Sequence, residues 1–260
     1  MHENLEPSLF ESVSPISAPI APEPKPLPDW ASRVAVFDLE TTGLDLNEAR
    51  IVTACVVLLD ADGRIISEER EWLANPGVPI PAAASNVHGI TEEFARLNGA
   101  PAAEVVAEVL NTLRAYLAEG IPVVAYNAPY DFTILRAEAL RHALEPLDSP
   151  MPILDPLVLD KTFERYRGGK RNLETVAALY GVELSDAHNA TADAVAAGRV
   201  LQAIARKHSE KLPTDIFEVH HQQVAWSEAS DSSYESFRRR TVPEFTVVRG
   251  WPTKPLLIES

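Results

Sequence analysis

Between residues 34 and 206, short apolar runs alternate with longer segments whose apolar residues recur at the spacing of a helix. The runs VAVFDLE, IVTACVVLL and RIISEEREWL predict three consecutive strands, the last two joined by a turn at residues 60–63. Four helices follow, with two further strands between them in IPVVAY and PILD. The order βββαβαβαα predicts an α/β fold: a mixed β-sheet, with a three-strand antiparallel meander plus parallel strands, flanked by helices.

The helices are predicted from the spacing of their apolar residues and from their end signals. They cover Ala102 to Leu117, PYDFTILRAEALRHAL, NLETVAALYG with Gly181 as its stop, and about 190–207. The segment NPGVPIPAAASNVHGIT, which precedes the first of them, is predicted to be a loop.

Composition divides the chain into three parts. Residues 1–29 hold seven of the 21 prolines and almost no periodic apolar pattern, which predicts a disordered Pro-rich arm. Residues 30–207 carry the predicted α/β domain. Residues 208–260 have weaker patterns, polar stretches and one short strand candidate, FTVV. We expect this C-terminal extension either to pack on the domain or to bind a partner.

The net charge limits how this chain can bind a polyanion. It has 23 Lys and Arg against 38 Asp and Glu, a balance of −15, which argues against nucleic-acid binding through a general basic surface. Nucleic acid is still possible as a substrate, because carboxylates can hold metal ions that in turn hold phosphates. No apolar run approaches the ~20 residues of a membrane span and no secretory signal is readable, so we expect a cytoplasmic protein without membrane contact.

Two acids stand together at the end of the first strand. Asp38 and Glu40 are separated by one residue, and the two-residue period of a strand places both side chains on one face. Such a pair favours a cation between the carboxylates, although a strand that ends in two solvated acids gives the same pattern. The residues Thr41, Thr42 and Gly43, followed by Leu44, favour a ligand site, because they supply hydroxyls and a glycine that lets the backbone approach a ligand closely.

Two more acids begin helices. Asp131 lies in the first turn of the helix after VVAYNAP, where α/β sheets tend to bind ligands. Asp193 lies in the first turn of the last predicted helix, and His188 precedes it in HNATADAVAAG, a spacing that allows both to face one cleft. Each has an ordinary alternative: an acid that complements the helix dipole, or a capping or surface histidine.

These motifs resemble, in order, those of the DEDDh 3'-5' exonucleases, the family of the DNA polymerase III epsilon proofreading subunit and its free-standing relatives. VAVFDLETTGLD is similar to the first exonuclease motif, VVAYNAPYDFTIL to the second and HNATADAVAAG to the third. NPGVPIPAAASNVHGIT is similar to the segment between the first two motifs. The resemblance extends from about Val34 to Leu201 and implies an RNase H-like fold.

The resemblance also implies a site chemistry. Asp38, Glu40, Asp131 and Asp193 would hold two Mg²⁺ or Mn²⁺ ions, and oxygen ligands suit such hard cations. His188 would be the general base that takes a proton from the attacking water, a role that suits the reference pKa of histidine near 6.5. For the substrate, the backbone of Thr41 would meet the 3'-hydroxyl and Leu44 the last base, with Tyr130 near the terminal nucleotide; His88 would contact substrate or fix its own loop.

One basic cluster interrupts this acidic chain, in ERYRGGKRNL. Its two glycines predict a mobile loop on which Arg167 and Lys170, with Arg165 and Arg171, hold the backbone of an incoming single strand. The alternative is a solvated run of charges. Asp155, before Pro156, is predicted to be a structural turn or cap residue.

The predicted function is therefore a metal-dependent 3'-5' exonuclease that releases nucleoside 5'-monophosphates from single-stranded 3' ends, with DNA favoured, in proofreading or repair. A DNA polymerase catalytic subunit is a possible partner. Two alternatives stay open: an RNA exonuclease similar to oligoribonuclease or ribonuclease T, and a non-catalytic module that binds a polymerase.

Overall fold

A computed structural model describes residues 25–68, 70–184 and 189–256. These residues form a six-stranded mixed sheet flanked by eight α-helices, which confirms the predicted α/β class. The strands are β1 (Val34–Thr41), β2 (Ile51–Leu59), β3 (Glu71–Asn75), β4 (Ala100–Pro101), β5 (Val123–Val124) and β6 (Ile153–Leu154). The helices are α1 (Ala82–His88), α2 (Glu92–Asn98), α3 (Ala102–Ala118), α4 (Pro129–Arg141), α5 (Pro156–Phe163), α6 (Leu173–Leu179), α7 (Ala190–Lys207) and α8 (Ile216–Arg238).

The sheet combines antiparallel and parallel pairing in the order β4-β3-β2-β1-β5-β6. β2 pairs antiparallel with both β1 and β3, which gives the predicted meander. β5 pairs parallel with β1 and with β6. The carboxyl ends of β1, β5 and β6 therefore meet at one edge, where ligands of α/β sheets commonly bind.

Alternate residues of β1 build two separate cores. Ala35, Phe37 and Leu39 pack with α3 and α4 on one face of the sheet. Val34 and Val36 pack with α5, α6 and α7 on the other face. A strand buried on both faces explains the nearly continuous apolar sequences of β1 and β2.

Some elements differ from the sequence predictions. The segment predicted as a loop before Ala102 contains α1, and α2 follows it, so the loop prediction was wrong there. The third strand begins at Glu71 rather than at Arg64. Residues 245–248, the strand candidate FTVV, have no regular structure, and the long helix α8 lies in a part of the chain with no strong apolar pattern.

Both predicted appendages contact the domain where the structure describes them. The arm falls mostly outside the described residues, but Leu27 packs against the core that contains α7, and Lys25 pairs with Glu210 of the C-terminal extension at 2.8 Å. At the other end, α8 covers the outer edge of β6. His220 Nδ1 accepts the Ile153 N–H at 3.1 Å, so a backbone group at the sheet edge is satisfied by a side chain.

Within the described ranges, no helix is both long enough and apolar enough to cross a bilayer.

Candidate active site

The first two carboxylates project from the carboxyl end of β1. Asp38 and Glu40 alternate with Leu39 and therefore share the face of Val36, the face that α7 covers. The register between β1 and β2 shifts just after Glu40, and this irregularity ends the regular strand directly behind the pair. Both side chains are partly buried.

The third carboxylate, Asp193, reaches this pair because α7 packs unusually close to the sheet. A Cβ atom on Gly198 would lie 2.5 Å from Val36 Cγ1 and 2.6 Å from Leu59 Cδ1, so a larger residue would push the helix away. Asn189 caps the helix by accepting the Ala192 N–H at 3.0 Å. One carboxylate oxygen each of Asp38, Glu40 and Asp193 lies within 4.8 Å of the others.

The fourth carboxylate comes from the opposite face of the sheet. Asp131 lies in the first turn of α4, is 2% exposed, and its Oδ1 accepts the Leu39 N–H at 3.1 Å. This bond fixes Asp131 to the residue between the first two acids. The structure thus brings all four predicted acids to one edge of the sheet.

The electrostatics of the group are those of crowded acids removed from water. Burial, and then the charges of Asp131, Glu40 and Asp193, raise the pKa of Asp38 well above its usual value. Burial and then Asp193 raise the pKa of Glu40 to about 7. Burial also raises the pKa of Asp131, against the opposing effect of its backbone hydrogen bonds.

This donor set fits a hard divalent cation. It consists of carboxylate oxygens alone, which Mg²⁺ and Mn²⁺ prefer to nitrogen or sulfur. A bound cation would also offset the repulsion that raises the three pKa values. Divalent-metal binding is therefore consistent with the geometry and the electrostatics of these acids.

Residues predicted to meet the strand end surround the acids. Thr41 Oγ1 and Tyr130 Oη share a hydrogen bond of 2.6 Å, and both lie within 2.9 Å of the Gly43 carbonyl oxygen. Thr42 turns inward, where its hydroxyl accepts the Arg50 N–H at 3.0 Å. Leu44, by contrast, is 85% exposed, so it is free to contact a substrate.

Of the two predicted histidines, the described residues include His88. His88 ends α1, and its Nδ1 accepts the Ile90 N–H at 3.1 Å, a contact that fixes the local turn. Burial lowers the pKa of its imidazole, and the backbone of nearby Thr41 opposes this effect. His188 lies outside the described residues, and its role as general base stays a prediction.

The basic cluster is arranged differently from the predicted binding loop. The guanidinium of Arg167 donates to the buried Asp160 at 2.8 Å, and Arg171 pairs with the same carboxylate. Arg167 is therefore paired within the fold with an acid six residues beyond β6, and its role in binding a strand stays a prediction. Lys170 is exposed.

Sequence reasoning underestimated Asp155. It caps α5, as predicted, by accepting the Leu157 N–H at 2.9 Å. It also accepts the N–H groups of Asn127 and Ala128, each at 3.0 Å, and so fixes the turn that starts α4 and positions Asp131. The C-terminal extension supports it, because Gln223 Oε1 accepts the Asp155 N–H at 2.7 Å. An Asp before a Pro signals the cap, but no local pattern signals these distant partners.

A mixed sheet with acids from β1, α4 and α7 at one edge defines an α/β protein with a carboxylate site for divalent cations. The profile of the RNase T family, described as "Exonuclease", matches residues 35–201, and the chain belongs to this family.

Relatives of known name agree with this assignment. The chain is 37% identical over 164 residues to a "DNA polymerase III subunit epsilon-like protein" of Rhodobacter capsulatus, covering 62% of this chain and 22% of that protein. It is 29% identical over 203 residues to "DNA polymerase III PolC-type" of Lacticaseibacillus paracasei, covering 78% and 13%. The chain thus spans about a fifth or less of the length of these relatives.

Solved structures show the same fold. Exonuclease I of E. coli, in complex with a dT13 oligonucleotide, aligns with a TM-score of 0.57 at 20% identity, over 69% of this chain and 42% of that one. Its complex with a dA16 oligonucleotide aligns with a TM-score of 0.60 at 19% identity, over 76% and 45%. The RNase H-like architecture expected from the motifs is thereby confirmed.

Proposed function

We propose that this chain is a metal-dependent 3'-5' exonuclease that releases nucleoside 5'-monophosphates from the 3' end of DNA. The observation that carries the proposal is the meeting of three carboxylates within 4.8 Å, with buried Asp131 fixed beside them. Membership of the exonuclease family supports the reaction class.

Phosphodiester hydrolysis needs an activated water, a polarised phosphate and a stabilised leaving oxygen, and a pair of divalent ions supplies all three when bound. Asp38, Glu40 and Asp193 would hold these ions, two Mg²⁺ or Mn²⁺. Asp131, on the opposite face of the sheet, would complete the ligand set. His188 would remove the proton of the attacking water.

The 3' polarity rests on residues at the end of β1 and directly after it. Exposed Leu44 would pack against the last base, and the backbone of Thr41 would meet the terminal hydroxyl. Tyr130 is positioned for this task by its bond to Thr41, which ties α4 to the end of β1. Both contacts involve the terminal nucleotide alone, and single-stranded 3' ends are the proposed substrate.

DNA is favoured as the polymer. The names of the relatives refer to DNA polymerase III, and the exonuclease I structures contain deoxyoligonucleotides. These names also support a role in proofreading or repair, with a DNA polymerase catalytic subunit as the partner.

The proposal is tested with 5'-labelled single-stranded DNA, mismatched primer-template and RNA of one sequence, each incubated with the full chain and Mg²⁺. The proposal predicts single-nucleotide shortening of DNA, release of nucleoside 5'-monophosphates, and no reaction with EDTA or with Asp38→Ala. Faster RNA degradation would assign the RNA alternative. No hydrolysis of any substrate by a folded protein would favour a binding module.

A further inference from the structure

A groove of about 540 Å³ lies between α5 and the second half of α8, outside the carboxylate site. Lys161, Arg165 and Arg171 line it on the side of α5. Trp226, Tyr234 and Phe237 line it on the side of α8, together with small residues. All of α8 lies beyond residue 201, where the family match ends.

The groove has a charge opposite to that of the whole chain. Although the chain carries a net charge of −15, none of the described residues that line the groove is acidic. Successive residues of a helix rotate by about 100°, which places Glu228, Asp231 and Glu235 about 140° to 200° away from Trp226. The acids of this half of α8 therefore point away from the groove.

Two of the cations are available to a ligand. Arg171 is bound to the buried Asp160. Lys161 and Arg165 are exposed, and across the described ranges neither has a carboxylate within the 4.0 Å of an ion pair. Together they offer two positive charges on one wall.

The opposite wall offers aromatic faces. Tyr234 is 47% and Phe237 59% exposed, and the guanidinium groups of Arg238 and Arg240 lie 5.8 Å from the centres of these two rings respectively. Phe245 meets the ring of Tyr234 edge to face at 5.6 Å, which holds that ring in place. Cations facing exposed aromatic rings are the combination that binds phosphates and bases of a single strand.

We propose that this groove binds single-stranded nucleic acid, with phosphates on Lys161 and Arg165 and bases stacked on Tyr234 and Phe237. The proposal rests on the proposed function, because it assigns a holding site to the same polymer. The groove is close to the edge of the sheet that carries the acids, because Asp155 caps α5 and Lys161 lies about 9 Å further along that helix.

The test measures binding of 5'-fluorescein-dT20 by fluorescence anisotropy, with the full chain in EDTA, so that the proposed metal-dependent cleavage does not run. Lys161→Ala/Arg165→Ala should weaken binding and lower the slope of log affinity against log salt by about 1.4, since each phosphate contact on a single strand contributes about 0.7. Tyr234→Ala/Phe237→Ala should weaken binding at least ~10-fold with little change in that slope. The matched controls are Arg33→Ala, an exposed cation elsewhere, and Phe217→Ala, an exposed ring at the start of α8.

A labelled 20-residue poly-glutamate peptide separates nucleic acid from acidic protein partners, because it carries charge but no bases. Equal binding of both probes, with equal losses in the two double variants, would assign the groove to an acidic peptide and overturn the proposal. Wild-type dT20 affinity in both double variants would also overturn it. If the wild-type chain binds dT20 as predicted here but does not cleave DNA in Mg²⁺, the proposed function alone is contradicted.

Discussion

Two groups of buried acidic side chains in this protein differ in their partners. Glu138 in α4 and Asp160 in α5 are fully buried, and each contacts two arginines. Glu138 lies 3.8 Å from Arg50 and also pairs with Arg141. These carboxylates are neutralised by the chain itself and tie separate elements together.

The carboxylates at the end of β1 receive no such compensation. Among the described residues, no Lys or Arg forms an ion pair with Asp38, Glu40 or Asp131. The charges that act on Asp38 are all negative, and they raise its pKa. Glu138 and Asp160 thus receive cations from the protein itself, whereas the acids of the candidate active site are left to bind cations from solution.

The largest expected effect follows from removing one of the uncompensated acids. Asp38→Ala should lose metal binding and essentially all hydrolysis. The metal-free protein should keep or slightly raise its melting temperature, because repulsion among the acids is relieved. Turnover on labelled DNA and calorimetric melting in EDTA check both parts. Turnover near the wild-type rate at saturating Mg²⁺ would remove Asp38 from the site.

The next effect concerns proton removal at the same site. His188→Ala should lower kcat by roughly 10²- to 10⁴-fold, the usual contribution of a general base. Affinity for Mn²⁺ should be retained, since the carboxylates supply the ligands. If the variant cleaves DNA as fast as the wild type, or loses Mn²⁺ binding, the assignment of His188 is wrong.

Breaking a compensated acid should affect stability instead of chemistry. Asp160→Ala leaves Arg167 and Arg171 without their buried partner, and we expect the free energy of unfolding to fall by about 3–5 kcal/mol. Urea unfolding measures this loss. The folded fraction should keep its turnover on short DNA; a selective loss of kcat without a loss of stability would break the distinction between the two kinds of acid.

The smallest effect is the pH dependence of the metal-free protein. Glu40 has an ordinary pKa of 4.5 when unfolded and about 7 when folded, so between these values the folded state binds more protons. Its contribution to stability is therefore present below about pH 4.5 and is lost as the pH rises through 7. In EDTA, Glu40→Gln should flatten this part of the melting-temperature profile relative to Glu48→Gln, an exposed acid on the following loop. Identical profiles would contradict the raised pKa.

Sequence alone predicted the acids but not their surroundings, for a physical reason. The strand period placed Asp38 and Glu40 on one face, and two helix starts placed Asp131 and Asp193 at the same edge, because these are local rules. No such rule predicts the partner of Arg167. Asp160 lies seven residues earlier, in another element. Two of the four cations in the run, Arg167 and Arg171, are therefore paired within the fold.

The C-terminal extension shows the same limit. α8 has a weak amphipathic pattern, because polar side chains such as His220 and Gln223 make part of its contacts to the domain, beside Val219 and Trp226. Polar residues on a helix predict exposure, whereas here they satisfy the edge strand β6 and Asp155. Gly198 is another case, since nothing in its neighbours along the chain shows that α7 must approach β1 so closely.

Titration calorimetry of Mn²⁺ into the full chain shows whether the uncompensated acids form a divalent-metal site. We expect saturable binding by the wild type and by Asp62→Ala, a variant of an exposed acid in the turn after β2. We expect no saturable binding by Asp38→Ala/Glu40→Ala. If that double variant binds Mn²⁺ with the affinity of the wild type, these acids do not form the metal site.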